Sequence, residues 1–119
     1  MAQYKLGEVE SAFAALIWDN EPLTSSQLVE LCSDRLDWKK STTYTVLRRL
    51  CQRGIFQNEG GMVTSLIGRE EFAARRSEEF VDQAFDGSLP KFLAAFASRK
   101  KLSREEIEQL QRLIDENRG

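Results

Sequence analysis

Trp38 to Gly54, WKKSTTYTVLRRLCQRG, is the stretch that decides how this chain is read. At helical spacing Thr43, Val46, Leu47 and Leu50 fall on one side, and Ser41, Thr45, Arg48 and Gln52 fall opposite. The stretch therefore reads as one helix with an apolar inner face and an outer face of hydroxyls, an amide and a guanidinium, flanked by Tyr44 and Arg49. Such groups hydrogen-bond base edges and phosphates, and the major groove is wide enough to admit a helix. The expectation is a DNA-recognition helix over residues 40–53, in which Ser41, Thr42, Tyr44 and Thr45 approach bases. Lys39, Lys40, Arg48, Arg49 and Arg53 suit phosphates, with Arg48 fitted to either role.

Upstream, the segment Thr24 to Gln27, TSSQ, has the form of a capping box, with Leu23 and Leu28 at the staple positions around it. A second helix of about ten residues begins there and buries Leu28, Leu31 and Cys32. Ser33 to Asp37 reads as the turn into the recognition helix, with Trp38 plugging the corner. An earlier helix, from near Leu6 to Trp18, carries the stripe Leu6, Val9, Phe13, Leu16 and Ile17 and is stopped by Asp19-Asn20-Glu21-Pro22.

Downstream, Gly54 ends the helix in the left-handed conformation that glycine tolerates best. Two short extended runs around Gly60-Gly61 then read as a β-hairpin. Helix, turn, recognition helix and hairpin in that order make a winged helix over residues 1–67.

Residues 68–119 read as three helices. The first runs from Arg69 to about Phe85 and is broken by Asp86-Gly87; the second follows Ser88-Leu89-Pro90; the third starts at Arg104 behind the Ser103-x-x-Glu106 capping box. Their apolar positions, Phe72, Phe80, Phe85, Leu89, Phe92, Leu93, Phe96, Ile107, Leu110, Leu113 and Ile114, are too many for three short helices to bury against one another. A second copy would supply the missing surface, so a homodimer through these residues is expected. The competing arrangement folds this segment back on its own winged helix. The fold class is thus mainly α: a winged helix-turn-helix with a small hairpin, then a helical dimerisation domain.

Charge patterning fits the same reading, and fits an ordinary solvated helix face equally well. The formal net charge of −2 conceals a division: residues 1–33 carry one Lys against five acids, residues 34–54 six Lys or Arg against two acids, and residues 55–88 three Arg against seven acids. Positive charge is concentrated around the recognition helix, where it can neutralise phosphates. The chain has no histidine, and Cys32 and Cys51 lack metal-ligand spacing, so imidazole bases, Cys-His nucleophiles and common zinc sites have no residues to build them. No catalytic residue, metal or cofactor is expected. No secretory leader or bilayer-length apolar run is seen, which makes the cytoplasm the expected location and membrane insertion unexpected.

Several residues in order carry a resemblance: Leu6-Gly7-Glu8 and Ile17-Trp18, then Pro22-Leu23-Thr24, then Thr42, Thr45, Leu47, Arg49-Leu50 and Gly54. In the second half follow Gly87-Ser88-Leu89, Leu93-Ala94-Ala95-Phe96 and Leu102-Ser103-Arg104-Glu105-Glu106. From about Leu6 to Asp115 the chain resembles the penicillinase repressor family of bacterial transcriptional repressors, of the BlaI, MecI and CopY type. The resemblance implies a dimer that binds a palindromic double-stranded operator through two winged helices. It also implies an upstream sensor: in well-known members a membrane metalloprotease system triggers cleavage between an Asn and a Phe, and the copper-responsive branch uses a cysteine-rich tail. Here Ala95 stands at the Asn position before Phe96, and no cysteine tail follows the last helix. The family's Gly-Arg in the wing is Gly61-Met62, and Thr43 replaces the usual Val or Ile. Ala95 and the missing cysteine tail put both known modes of release in doubt and leave the sensor unknown, while Met62 takes a phosphate-binding cation from the wing. A winged helix also serves as a protein-interaction module without sequence-specific DNA binding, which is the alternative reading.

Overall fold

The computed structural model describes residues 4–118. Its elements run α1 Glu8–Asn20, β1 Leu23–Thr24, α2 Ser25–Leu36, α3 Lys40–Gln52, β2 Phe56–Glu59, β3 Met62–Ser65, α4 Arg69–Phe85, α5 Leu89–Arg99 and α6 Arg104–Glu116. The fold is mainly α, a winged helix followed by a helical tail. Packing divides it within α4: one compact unit runs to Glu79 and the other starts at Phe80. Gly68 accordingly marks the start of α4, while the first unit continues about three turns further.

Local chemistry sets most element ends. Thr24 caps α2 by accepting from the Gln27 N–H at 3.0 Å, and the Gln27 side chain accepts from the Thr24 N–H at 2.8 Å. Asp37 closes α2 in the left-handed region at φ 57°, which a short polar side chain tolerates. The polar run Ser33–Arg35 is therefore helical surface and not turn, as Cys32 and Leu36 one helical turn apart keep the inner face apolar. Only Asp37–Lys39 connect α2 to α3. Both glycines of the hairpin turn have positive φ, 59° at Gly60 and 85° at Gly61, as a two-residue turn matching strand twist requires.

A third strand joins the expected hairpin. The sheet order is β1-β3-β2, antiparallel, with Leu23 opposite Val63 and Thr24 opposite Met62. The wing is thereby stitched to the start of α2.

The first unit has one core. Phe13, Ala14 and Ile17 of α1, Leu28 and Cys32 of α2, Val46, Leu47 and Leu50 of α3, and Ile55, Phe56 and Val63 around the sheet are all buried. Val9 departs from the expected stripe, being 58% exposed; α1 begins only at Glu8, and Ala14 takes the inward place. Trp38 stacks on Phe13 with ring centroids 5.4 Å apart, filling the corner between α2 and α3. Phe72, grouped by sequence with the dimerisation residues, belongs to this core: it is buried against Tyr4 and Trp18.

The second unit is built differently. Ser88 and Ser103 cap α5 and α6 through the Lys91 and Glu106 amides, as their spacing predicts. Phe80, Phe85 and Phe92 form an edge-to-face cluster, and Phe92 also meets Phe96. Yet neither α5 nor α6 buries a single residue.

Candidate nucleic-acid interface

The site is the face of α3 turned away from the core. Thr43, Val46, Leu47 and Leu50 are buried, so helical geometry presents Ser41, Thr42, Thr45 and Arg48 to solvent, with Lys39 and Lys40 at the helix start. The Thr45 hydroxyl donates to the Ser41 carbonyl at 2.9 Å, which restrains its rotamer while the side chain stays exposed and its oxygen can still accept. Lys39 occupies the N-cap of α3 with no side-chain cap bond, unlike Thr24, Ser88 and Ser103. First-turn amides and two ammonium groups thus make that end of α3 positive, the arrangement that receives a phosphate.

Of the nine residues expected at DNA, six lie on this open surface: Lys39, Lys40, Ser41, Thr42, Thr45 and Arg48. The other three also touch their own protein. Tyr44 is half-buried, with its hydroxyl donating to Ser25 Oγ at 3.2 Å. Arg49 pairs with Glu10 of α1 at 3.6 Å, and Arg53 donates to the Lys5 carbonyl at 2.9 Å. Nothing local marks these partners, which lie 19 to 48 residues away.

Arg48 shares a shallow recess with Tyr44, Leu47, Cys51 and, from β2, Asn58. The wing beside it carries no Lys or Arg from Ile55 to Ile67; the exposed residues of that stretch are Asn58, Glu59, Gly60, Met62 and Leu66. Positive charge at the site therefore comes from α3 and its approach.

Thr43, the polar residue on the inner face, is satisfied by donating its hydroxyl to the Lys39 carbonyl at 3.4 Å. Burial pushes the Cys32 thiol up, with the Thr43 hydroxyl partly offsetting it, and burial likewise pushes up Cys51. Both are free and remain neutral thiols at pH 7, a state of low nucleophilicity. Among the described residues no group of His, Cys, Asp and Glu could hold a metal ion, and no helix is long and apolar enough to cross a membrane.

The expected dimerisation residues other than Phe72 all belong to the second unit. Phe92, Leu93, Phe96, Leu110 and Leu113 line one groove with Leu102, Glu106 and Gln109. Phe80, Leu89, Phe96, Ile107, Leu113 and Ile114 are all exposed.

Comparison with known proteins supplies independent findings. Residues 6–116 match the family described as penicillinase repressor. The chain is 22% identical over 116 residues to the methicillin resistance regulatory protein MecI of Staphylococcus aureus (strain N315), with 94% of each chain covered, and the same holds for the protein of that name from Mammaliicoccus sciuri. It is 23% identical over 119 residues to the penicillinase repressor of Bacillus licheniformis, covering 97% of this chain and 93% of that one. These relatives are named for regulation, not for catalysis.

Proposed function

The chain belongs to the penicillinase repressor family, and from that premise we propose that it represses transcription as a homodimer, each protomer laying α3 into the major groove of one half of a palindromic operator. The observation that carries this reading is the outer face of α3. There, Ser41, Thr42, Thr45 and Arg48 stand exposed behind a positive helix start while the opposite face is core.

Recognition helices contact base edges with their N-terminal part, which assigns bases to Ser41, Thr42 and Thr45 and leaves Arg48 to a base or a phosphate. Lys39 and Lys40 neutralise phosphates, and Arg49 can join them, as a surface ion pair such as the one with Glu10 is weak enough to exchange for a phosphate. Residues 68–119 would join the two copies through their exposed apolar side chains, setting two helices a fixed number of DNA turns apart. Occupying a promoter in this way denies it to polymerase.

The test is binding to a duplex selected from a random library. Thr45→Ala and Arg48→Ala are each expected to weaken selective binding roughly tenfold, and wild-type affinity should fall steeply with salt. If both variants bind as wild type does, α3 is not the reading element. Selective binding absent altogether, with a protein partner retained, would favour an interaction module.

A further inference from the structure

Tyr44 sits on the reading helix, yet its hydroxyl is directed at Ser25 Oγ, 3.2 Å away. Ser25 opens α2 and is held from its other side as well: its backbone N–H donates to the Gly61 carbonyl at 2.8 Å. Gly61 is the wing turn, and its backbone runs so close that an added Cβ would meet Ser25 Oγ at 3.9 Å. Beside it Thr24 lies opposite Met62 in the β1–β3 ladder. An unbroken series of hydrogen bonds thus connects α3, the first residue of α2 and the wing tip.

The preceding residue makes a second link in another direction. Thr43 is buried beside Cys32 of α2, which is wholly buried as well. Successive helical residues point about 100° apart, so two links from adjacent residues to one neighbouring helix resist rotation of α3 about its own axis. Such rotation is what would disturb reading most, since it moves Ser41, Thr42 and Thr45 together off their base edges. The wing carries no cation with which to grip a phosphate, but its Gly61 carbonyl completes this support.

Resting on the operator reading above, we propose that Tyr44 is a positioning residue, fixing the roll of α3 against α2 and the wing tip through Ser25 and reading no base itself. Its ring fills the half-buried space between the helices, and its hydroxyl satisfies Ser25 Oγ.

The experiment compares the full chain with Tyr44→Phe, Ser25→Ala and the double variant. Each is measured against the selected duplex, against that duplex altered at each base pair in turn, and against unrelated DNA. Each single change should weaken selective binding roughly two- to tenfold, the worth of one hydrogen bond. The double variant should be no weaker than the weaker single, since both remove the same bond. Discrimination should fall at every base pair read by α3, and affinity for unrelated DNA should stay at the wild-type level. Additive losses, a Tyr44→Phe protein indistinguishable from wild type, or an equal loss on unrelated DNA would each overturn the proposal. Loss of discrimination at one base pair alone would do so too, by making Tyr44 a base reader. Should the wild-type chain select no duplex at all, the operator reading fails, and amide hydrogen exchange then decides on the support. Tyr44→Phe must speed exchange at the Ser25 N–H while leaving α5 unchanged, and an unaltered Ser25 rate refutes it.

Discussion

The two compact units of this chain use similar proportions of apolar sequence to opposite ends. In the first, Phe13, Ile17, Leu28, Leu50, Ile55, Phe56 and Val63 are wholly withdrawn from water, and even the polar Thr43 has its partner. In the second, Leu89 is 63% exposed and Phe80, Ile107, Leu113 and Ile114 are each more than half exposed. The second unit's α5 and α6 are as well capped as α2 of the first, so the contrast does not come from local stability. It comes from layers: a three-stranded sheet closes the first unit against its helices, while neither α5 nor α6 buries a residue. A unit of the first kind is stable by its own burial, and one of the second kind leaves its stability to be completed by whatever covers it.

The largest expected effect on that contrast is in the first unit. Phe56→Ala removes a fully buried ring from between the sheet and Trp18 and should cost about 3–5 kcal/mol in denaturant unfolding. Leu113→Ala, at an exposed position, should leave unfolding of the first unit unchanged. A comparable loss from both would mean the units are not independently stabilised.

Next in size is Phe96→Asp. On the dimer reading, wild-type protein sediments as a dimer at micromolar concentration, and this change puts a carboxylate into the shared apolar surface. It should weaken association by about 2 kcal/mol or more, as expected of a central interface residue, and shift the protein toward monomer with the first unit still folded. A wild-type monomer at that concentration would remove the dimer claim, and with it the explanation of the exposed face.

The smallest effect concerns the cap of α6. The Ser103 amide donates to the Glu106 carboxylate at 2.9 Å, and this bond, with the Ser103 hydroxyl, holds the Glu106 carboxyl below its usual range. A lowered folded value means the carboxylate is favoured in the folded state. The contribution is therefore present above the ordinary carboxylate range and lost as pH falls through the depressed value. Melting curves between neutral and acid pH should show this loss in wild type and a smaller one in Glu106→Gln. Equal curves would show that the exposed cap contributes nothing measurable.

Where sequence reading worked, the controlling interactions were short in sequence. Thr24 and Gln27, Ser103 and Glu106, and Ser88 with Lys91 are three residues apart, and each set a helix start as read. The side of α3 that turned inward followed from periodicity alone. Where it departed, the deciding partner was distant. Leu23 and Thr24 became a strand because Met62 and Val63 came alongside. Phe72 entered the first core because Trp18 and Tyr4 were there to meet it. Ser25 carries no local mark of a functional residue, since a serine at the first position of a helix has no signature until Tyr44 and Gly61 are placed beside it.

By itself the sequence determined where α2, α5 and α6 begin and are capped, which face of α3 is apolar and where positive charge is concentrated. Those properties depend on side-chain chemistry at fixed helical spacing and on hydrogen bonds within one turn. Only the tertiary structure decided that Tyr44 leans on Ser25, that Arg49 and Arg53 reach back to Glu10 and Lys5, and that the wing is stitched to α2. Such contacts join residues tens of positions apart, and they exist only once packing of the core has brought the elements carrying them together.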